Sequence, residues 1–285
     1  MTECPVCCST AVSSAGVVEG FPTSSCAECT HWFVSKTPAD SDLDAAYSED
    51  YYTNKIADGH GYQDYLVKTD QRMSGFKSRL DNIERYAPSR GRILDYGCAI
   101  GLFVKVAASQ GWDAKGYERS SWAVEYGRNV LKLDIELGHG GWDPYPAESF
   151  DVVTLWDVME HVDAPRNVMS LVSKWLKPGG LLALNTLNSS SLGARLAGRH
   201  WRHLLPPHHL QFFTKRSLLA LLESHGFMVC SVQASGTFMA RTDDLKLESG
   251  IKKVVDDLVG HWRVRPLVSR LNMLDELEMV AVKRR

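Results

Sequence analysis

Four cysteines open the chain in two pairs, Cys4-x2-Cys7 and Cys26-x2-Cys29, separated by 18 residues. Each Cys-x-x-Cys turn can present two thiolates to one ion, and two such turns complete a tetrahedron, the spacing of a zinc ribbon. Four protein ligands leave no open coordination position, so zinc held there is structural rather than catalytic. The competing reading is a pair of disulfides or a redox pair, which a cytosolic chain rarely keeps. Cys8 is read as a non-ligand, and Cys98 and Cys230 as small apolar fillers.

A second constellation begins at Ile93-Leu94-Asp95-Tyr96-Gly97-Cys98-Ala99-Ile100-Gly101-Leu102-Phe103. Apolar residues run into Asp95, a turn of small residues follows, and an amphipathic stretch ends at Gly111. That order reads as strand, tight loop and helix, the opening unit of a nucleotide-binding α/β sheet. Gly97, Ala99 and Gly101 leave room for a ligand to approach the backbone, and a helix N-terminus offers unpaired N–H groups. Glu118 closes the next apolar run, where a carboxylate can accept both hydroxyls of an adenosine ribose. The competing reading is a purely structural strand-to-helix turn. A dehydrogenase is disfavoured, because Gly97 to Gly101 does not fit the Gly-x-Gly-x-x-Gly that seats a pyrophosphate.

The chain that must position these residues has 285 of them, enough for one full-size domain with a small appendage. Its formal net charge of -2 gives no general attraction to nucleic acid. No stretch reads as a signal peptide or a membrane span, so the cytoplasm is the expected compartment. Residues 1–36 hold too few apolar side chains to fold alone, and a metal would supply their core. Val17, Val18, Phe21, Trp32, Phe33 and Val34 mark short strands around the cysteines. An acidic linker over 39–50 leads into a segment rich in Tyr47, Tyr51, Tyr52, Tyr62 and Tyr65. A helix follows from about Leu66 to Tyr86, with Met73, Phe76, Leu80 and Ile83 on one face.

From Gly91 strands and helices alternate, which predicts a mostly parallel sheet covered on both faces. Strands are expected at about 92–96, 114–118, 135–137, 150–156, 181–184, 227–232 and 277–282. Asp163 is the expected N-cap of a helix with Val168, Met169, Val172 and Trp175 inward. Thr214 is the expected cap of another, with Phe213 stapled to Leu218 and Leu218, Leu219, Leu221 and Leu222 inward. The Met239–Leu267 region reads as a lid or surface helix.

The glycine turn resembles motif I of the class I S-adenosylmethionine (SAM)-dependent methyltransferases, Asp-x-Gly-x-Gly-x-Gly, with Ala99 in the middle glycine's place. Phe150-Asp151-Val152-Val153, Glu160-His161-Val162 and Leu176-Lys177-Pro178-Gly179-Gly180 resemble the same family in order and spacing, so the likeness covers about Arg92 to Phe227. It implies a Rossmann-like sheet of seven mostly parallel strands whose last strand pairs antiparallel at the sheet edge, plus the small N-terminal zinc ribbon. The division is 1–36 for the ribbon, 37–90 for a linker and helical cap, and 91–285 for the SAM domain. By this resemblance Tyr62 and Tyr65 are candidates to face the cofactor, and Asp95, Gly97, Cys98, Ala99, Gly101 and Glu118 to hold it. Trp156 either flanks the cofactor or is an ordinary core tryptophan. Many family members carry an Asp beside the adenine where this chain has Gly138-His139-Gly140-Gly141-Trp142.

Methyl transfer from a sulfonium needs alignment of nucleophile, methyl and sulfur, and for a hydroxyl it also needs a proton acceptor. Histidine is the natural base near neutral pH. His161 follows a strand at the carboxyl end of the sheet, where ligands of such sheets bind. His208 and His209 sit in a long insertion, Asn188–Leu210, on the same side. His161 or His208 is the favoured base; the structural alternative is a loop-holding hydrogen bond beside the cofactor for His161, and loop structure around two prolines for His208 and His209. The favoured function is O-methylation of a small-molecule or glycan hydroxyl. A zinc ribbon before a SAM domain also resembles zinc-ribbon rRNA guanine methyltransferases, but the ribbon has no Lys or Arg before Lys36. A non-catalytic SAM-binding adaptor is the third reading.

Overall fold

The computed structural model describes residues 3–36, 52–53, 66, 69–138, 143–235 and 274–285. The acidic linker, Tyr47, Tyr51, Tyr62, Tyr65 and the helix expected within Met239–Leu267 lie outside these residues. Seven strands form one sheet: β4 (Arg92–Tyr96), β5 (Asp113–Glu118), β6 (Ile135–Leu137), β7 (Phe150–Trp156), β8 (Leu176–Leu187), β10 (Phe227–Ser235) and β11 (Glu276–Lys283). Their order is β10-β11-β8-β7-β4-β5-β6. The pairs β4–β5, β4–β7, β5–β6 and β7–β8 are parallel, and β11 is antiparallel to both neighbours. Central strands buried on both faces read as unbroken apolar runs, and β7 follows that rule with all but Asp151 buried.

The last strand is antiparallel, as expected, but it is not the edge. It inserts between β8 and β10, burying Leu277, Met279, Val280 and Ala281, and among the described residues β10 is the edge. There Cys230 is exposed rather than an apolar filler, because it is the extra residue at a bulge between Val229 and Ser231.

Helix α1 (Thr69–Glu84) lays Leu80 and Ile83 into a core with Phe103, Trp112 and Trp156, with Met73 and Phe76 packed beside them. Helix α2 (Leu102–Ser109) follows the glycine turn, and α3 (Ser121–Asn129) is capped by the Ser120 side chain. Helix α4 (Pro165–Trp175) buries Val168, Met169, Val172 and Trp175. Asp163 is not its cap: Pro165 holds the first helical position and fixes the start, so Ala164 takes the N-cap place without a side-chain bond. The Lys177-Pro178-Gly179-Gly180 run that ends α4 already belongs to β8, whose register against β7 shifts there.

After β8 the chain forms α5 (Leu192–Ala197), a short 3-10 turn (Gly198–His200) and β9 (Gln211–Phe212) before α6 (Lys215–Ser224). Thr214 and Ser217 cap α6 reciprocally, and Phe213 and Leu218 are both fully buried in one cluster. In α6, Leu218, Leu221 and Leu222 are buried while Leu219 is only part-buried.

The N-terminal strands β1 (Val12–Val18), β2 (Phe21–Cys26) and β3 (Trp32–Val34) form a second sheet, and β9 completes it in the order β1-β2-β3-β9. Trp32 pairs with Phe212 and Phe33 with Gln211. Val18 and Val34 therefore share a core with Leu187 of β8, Trp201 and Leu210 of the insertion, and Phe212 of β9. Cys4, Val6, Cys26 and Cys29 belong to the large cluster under α4 and α6. The apolar partners missing from the first 36 residues come from β9 and its neighbours. Among the described residues no helix is long and apolar enough to cross a membrane.

Replacing the fully buried Phe212 by Ala removes the ring that β3 and the insertion share. Urea denaturation should show a loss of about 3–5 kcal/mol.

Candidate active site

The turn after β4 depends on three consecutive odd positions with left-handed backbone: Gly97 at φ 74°, Ala99 at φ 51° and Gly101 at φ 89°. A Cβ on Gly97 would lie 2.6 Å from Val158 Cγ2, and one on Gly101 would lie 2.7 Å from Leu133 Cδ1. Only glycine fits at either place. At Ala99 the methyl group is accommodated, at the cost of a left-handed conformation in a residue with a Cβ. The amides of Gly97 and Cys98 donate to the Tyr117 carbonyl at 2.7 and 3.2 Å, which ties the turn to β5.

Glu118, the last residue of β5, is buried directly beside that turn. Its two carboxylate oxygens accept the amide of Ala99 at 2.9 Å and that of Ser120 at 2.8 Å. Burial pushes its pKa up, against the pull of these donors. Asp95 is buried as well and accepts the Thr154 hydroxyl at 2.7 Å; burial raises its carboxyl to about 8. Cys98 turns its sulfur inward among Val104, Val124 and Ile135 and has the filler role expected of it. Trp156 is buried at the end of β7, edge-on to Phe103 with ring centroids 5.4 Å apart, under the Arg79 guanidinium at 4.8 Å. Tyr62 and residues 139–142 of the Gly138–Trp142 loop lie outside the described residues. Gly138 donates its amide to the Glu118 carbonyl at 2.9 Å.

Across the sheet, the segment after β7 carries His161, and the insertion folds onto it. The Glu160 carbonyl accepts the amides of Leu210 and Gln211 at 2.7 and 3.0 Å. His161 Nδ1 lies 2.8 Å from the His208 carbonyl. A carbonyl only accepts, so Nδ1 carries the proton and Nε2 keeps the basic lone pair. His209 Nδ1 bonds the His203 carbonyl at 2.7 Å, and its ring sits 4.8 Å from that of His161. Burial lowers His161 to about 4 and His203 to about 3, and pushes His209 well below the usual range. His161 and His209 are thus brought together, both neutral at pH 7, while His208 contributes its carbonyl.

The sequence reading missed a polar group at the same end of the sheet. Asn185 on β8 exchanges two hydrogen bonds with Asp157, accepting its amide at 2.9 Å and donating to Oδ1 at 2.5 Å. Asn185 also bonds Glu276 at the start of β11, whose carboxyl burial and the Asp157 charge raise to about 7. The fully buried Thr186 donates to Glu160 at 2.8 Å. Because β11 runs antiparallel, its first residue lies at the carboxyl ends of the parallel strands. That reversal was the available signal.

At the N-terminus the four cysteine sulfurs converge, all within 4.8 Å of one another. Cys4 and Cys29 are 3.5 Å apart and Cys7 and Cys26 3.6 Å. Thiolates about 2.3 Å from a tetrahedral zinc lie roughly 3.8 Å from each other, so the donor set and its spacing fit such an ion.

A base whose folded pKa lies below its unfolded value of about 6.5 is protonated first in the unfolded chain. The stability contributed by neutral, buried His161 is complete above that pH and fades as pH falls toward 4. By NMR, the His161 ring signals should stay fixed from pH 8 to about 5.5 and move only as pH passes about 4. A midpoint near 6.5 would refute the buried, neutral assignment.

A family profile described as a methyltransferase domain matches residues 69–232, more than half of the chain. The mitochondrial ubiquinone biosynthesis O-methyltransferase of Schizosaccharomyces pombe is 31% identical over 129 residues, 43% of this chain and 47% of that protein. The ubiquinone biosynthesis O-methyltransferase of Thiobacillus denitrificans is 32% identical over 127 residues, 42% of this chain and 54% of its own length. The chain thus spans about half the length of these curated relatives. Among solved structures, a SAM-dependent methyltransferase from Archaeoglobus fulgidus superposes with a TM-score of 0.54 at 19% identity, covering 77% of this chain and 99% of that one. A possible histamine N-methyltransferase from Thermotoga maritima gives 0.51 at 17%, covering 77% and 94%. At these identities the likeness shows the fold alone. The matched profile, the seven-stranded sheet with its antiparallel last strand and the glycine turn beside Glu118 together place this chain in the SAM-dependent methyltransferase family.

Proposed function

We propose that the protein methylates a hydroxyl of a small-molecule acceptor, with SAM as donor. The observation that carries this reading is Glu118. Its carboxylate is fixed beside the glycine turn by two backbone amides, and two carboxylate oxygens retain further lone pairs for ribose hydroxyls. Gly97, Cys98, Ala99 and Gly101 supply the close backbone, and Asp95 braces the turn through Thr154. Bound there, SAM supplies an electrophilic methyl group.

The chain's own residues then have to orient the acceptor and remove its proton. His161 is the base we favour: its Nδ1–H is committed to the His208 carbonyl, which makes Nε2 the basic nitrogen of the ring. His209, 4.8 Å away and neutral, adds no competing positive charge. The O-methyl chemistry named for the curated relatives supports a hydroxyl as acceptor. We assign a structural zinc to Cys4, Cys7, Cys26 and Cys29, and a division of the chain into ribbon (1–36), linker and helical cap (37–90) and SAM domain (91–285).

Calorimetry with S-adenosylhomocysteine should give one-to-one binding that is lost, by about tenfold or more, in Glu118→Ala. Absence of binding to the native protein would sink the methyl-transfer reading. Incubation with SAM and a panel of catechols and sugars should then yield methyl ethers, and His161→Ala should lower turnover while keeping S-adenosylhomocysteine affinity. Elemental analysis should find one zinc per chain, reduced in Cys26→Ser. A metal-free native protein with the same stability would refute the zinc assignment.

A further inference from the structure

Gln211 is 1% exposed, and every polar atom of its side chain is used. Its Nε2 donates to the carbonyls of Val162 at 3.0 Å and Asp163 at 3.3 Å. Its Oε1 lies 2.8 Å from Nε2 of His31, which is fully buried two residues after Cys29. An amide oxygen only accepts, so His31 Nε2 is the donor. His31 is itself clamped by rings, Phe213 at 4.7 Å and Phe33 at 5.8 Å. The Gln211 backbone adds its amide to the Glu160 carbonyl at 3.0 Å and its register with Phe33. Gln211, in β9 where the insertion ends, therefore ties the cysteine segment to the loop that presents His161.

We propose that Gln211 is a positioning residue through which the four-cysteine segment, by way of His31, holds the His161 imidazole in its working orientation. The proposal rests on the reading of His161 as the base. Carbonyls 162 and 163 immediately follow His161, and the carbonyl before it belongs to Glu160, so the loop is gripped on both sides of the imidazole. His161 Nδ1 finds the His208 carbonyl only while loop and insertion keep this register. A buried loop whose carbonyls lose their donors must shift to find others. The cysteine segment then contributes to the site by geometry. Arg166 reinforces the arrangement: its guanidinium, at the start of α4, donates to the Val6 carbonyl at 3.1 Å.

The test compares native protein with Gln211→Leu, which keeps the bulk and removes the side chain's hydrogen bonds. A second variant, His31→Phe, keeps the ring stack and removes only the link to the cysteine segment. The readouts are the His161 ring nitrogens by long-range 1H–15N NMR, S-adenosylhomocysteine affinity by calorimetry, and metal content. In Q211L the His161 Nδ1 signal should leave its protonated position and broaden, with affinity within about twofold of native; H31F should show the same change in smaller measure. With an acceptor identified, Q211L should lower kcat about tenfold or more and leave KM for SAM unchanged. A His161 spectrum in Q211L superimposable on native overturns the proposal. A change in Q211L with none in H31F overturns the anchoring role of the cysteine segment. If Q211L fails to fold, an unchanged His161 signal in H31F overturns the proposal by itself. Failure of native protein to bind S-adenosylhomocysteine would instead remove the methyl-transfer reading, and the His161 spectra would still decide the positioning.

Discussion

The carbonyl oxygen of Tyr117 accepts two amides, from Gly97 and Cys98, and the site is built outward from that fork. It fixes the point where the chain leaves β4, which forces the left-handed backbone at Gly97, Ala99 and Gly101. The next residue of β5 is Glu118, so the strand that receives the turn also delivers the carboxylate into it. Apolar packing makes this affordable: the Tyr117 ring stacks on Tyr96 with centroids 5.0 Å apart, and Trp175 and Tyr145 close around the pair. The pairing of β4 with β5 and β7 then sets the distance between the Glu118 half of the site and the half that carries His161.

The second half is assembled from pieces remote in sequence. Glu160 supplies a carbonyl to the insertion, the His208 carbonyl takes the His161 imidazole, and Gln211 ties both to the N-terminal sheet. Buried polar groups are costly unless paired, so such a network tolerates few alternative arrangements. The raised carboxyl of Glu276 and the lowered imidazoles of His161 and His209 share one physical origin, burial at the carboxyl ends of the strands.

What the sequence disclosed follows from how local each signal is. Gly97, Gly101 and Glu118 are legible because the turn and carboxylate sit on adjacent strands with short connections. The cysteine pairs are legible because their geometry is written into a two-residue spacing. Thr214 was readable as a cap because nothing competes with it, whereas Asp163 was not, since Pro165 decides where α4 begins. Gln211 and His31 are 180 residues apart, and no periodicity announces their bond. Glu276 falls just before the strand expected at 277–282, and its place at the ligand end depends on where β11 inserts. Cys230 looked apolar because a bulge cannot be read from alternation.

That bulge has a consequence for colloidal behaviour. A flat, regular edge strand offers a ladder of unpaired amides and carbonyls onto which another chain can add. Here the β10 edge is broken at Cys230, and the opposite edge, β6, is only three residues long. Among the described residues, both ends of the seven-stranded sheet are therefore poor templates for strand addition, and Met228 is exposed beside the break in the ladder.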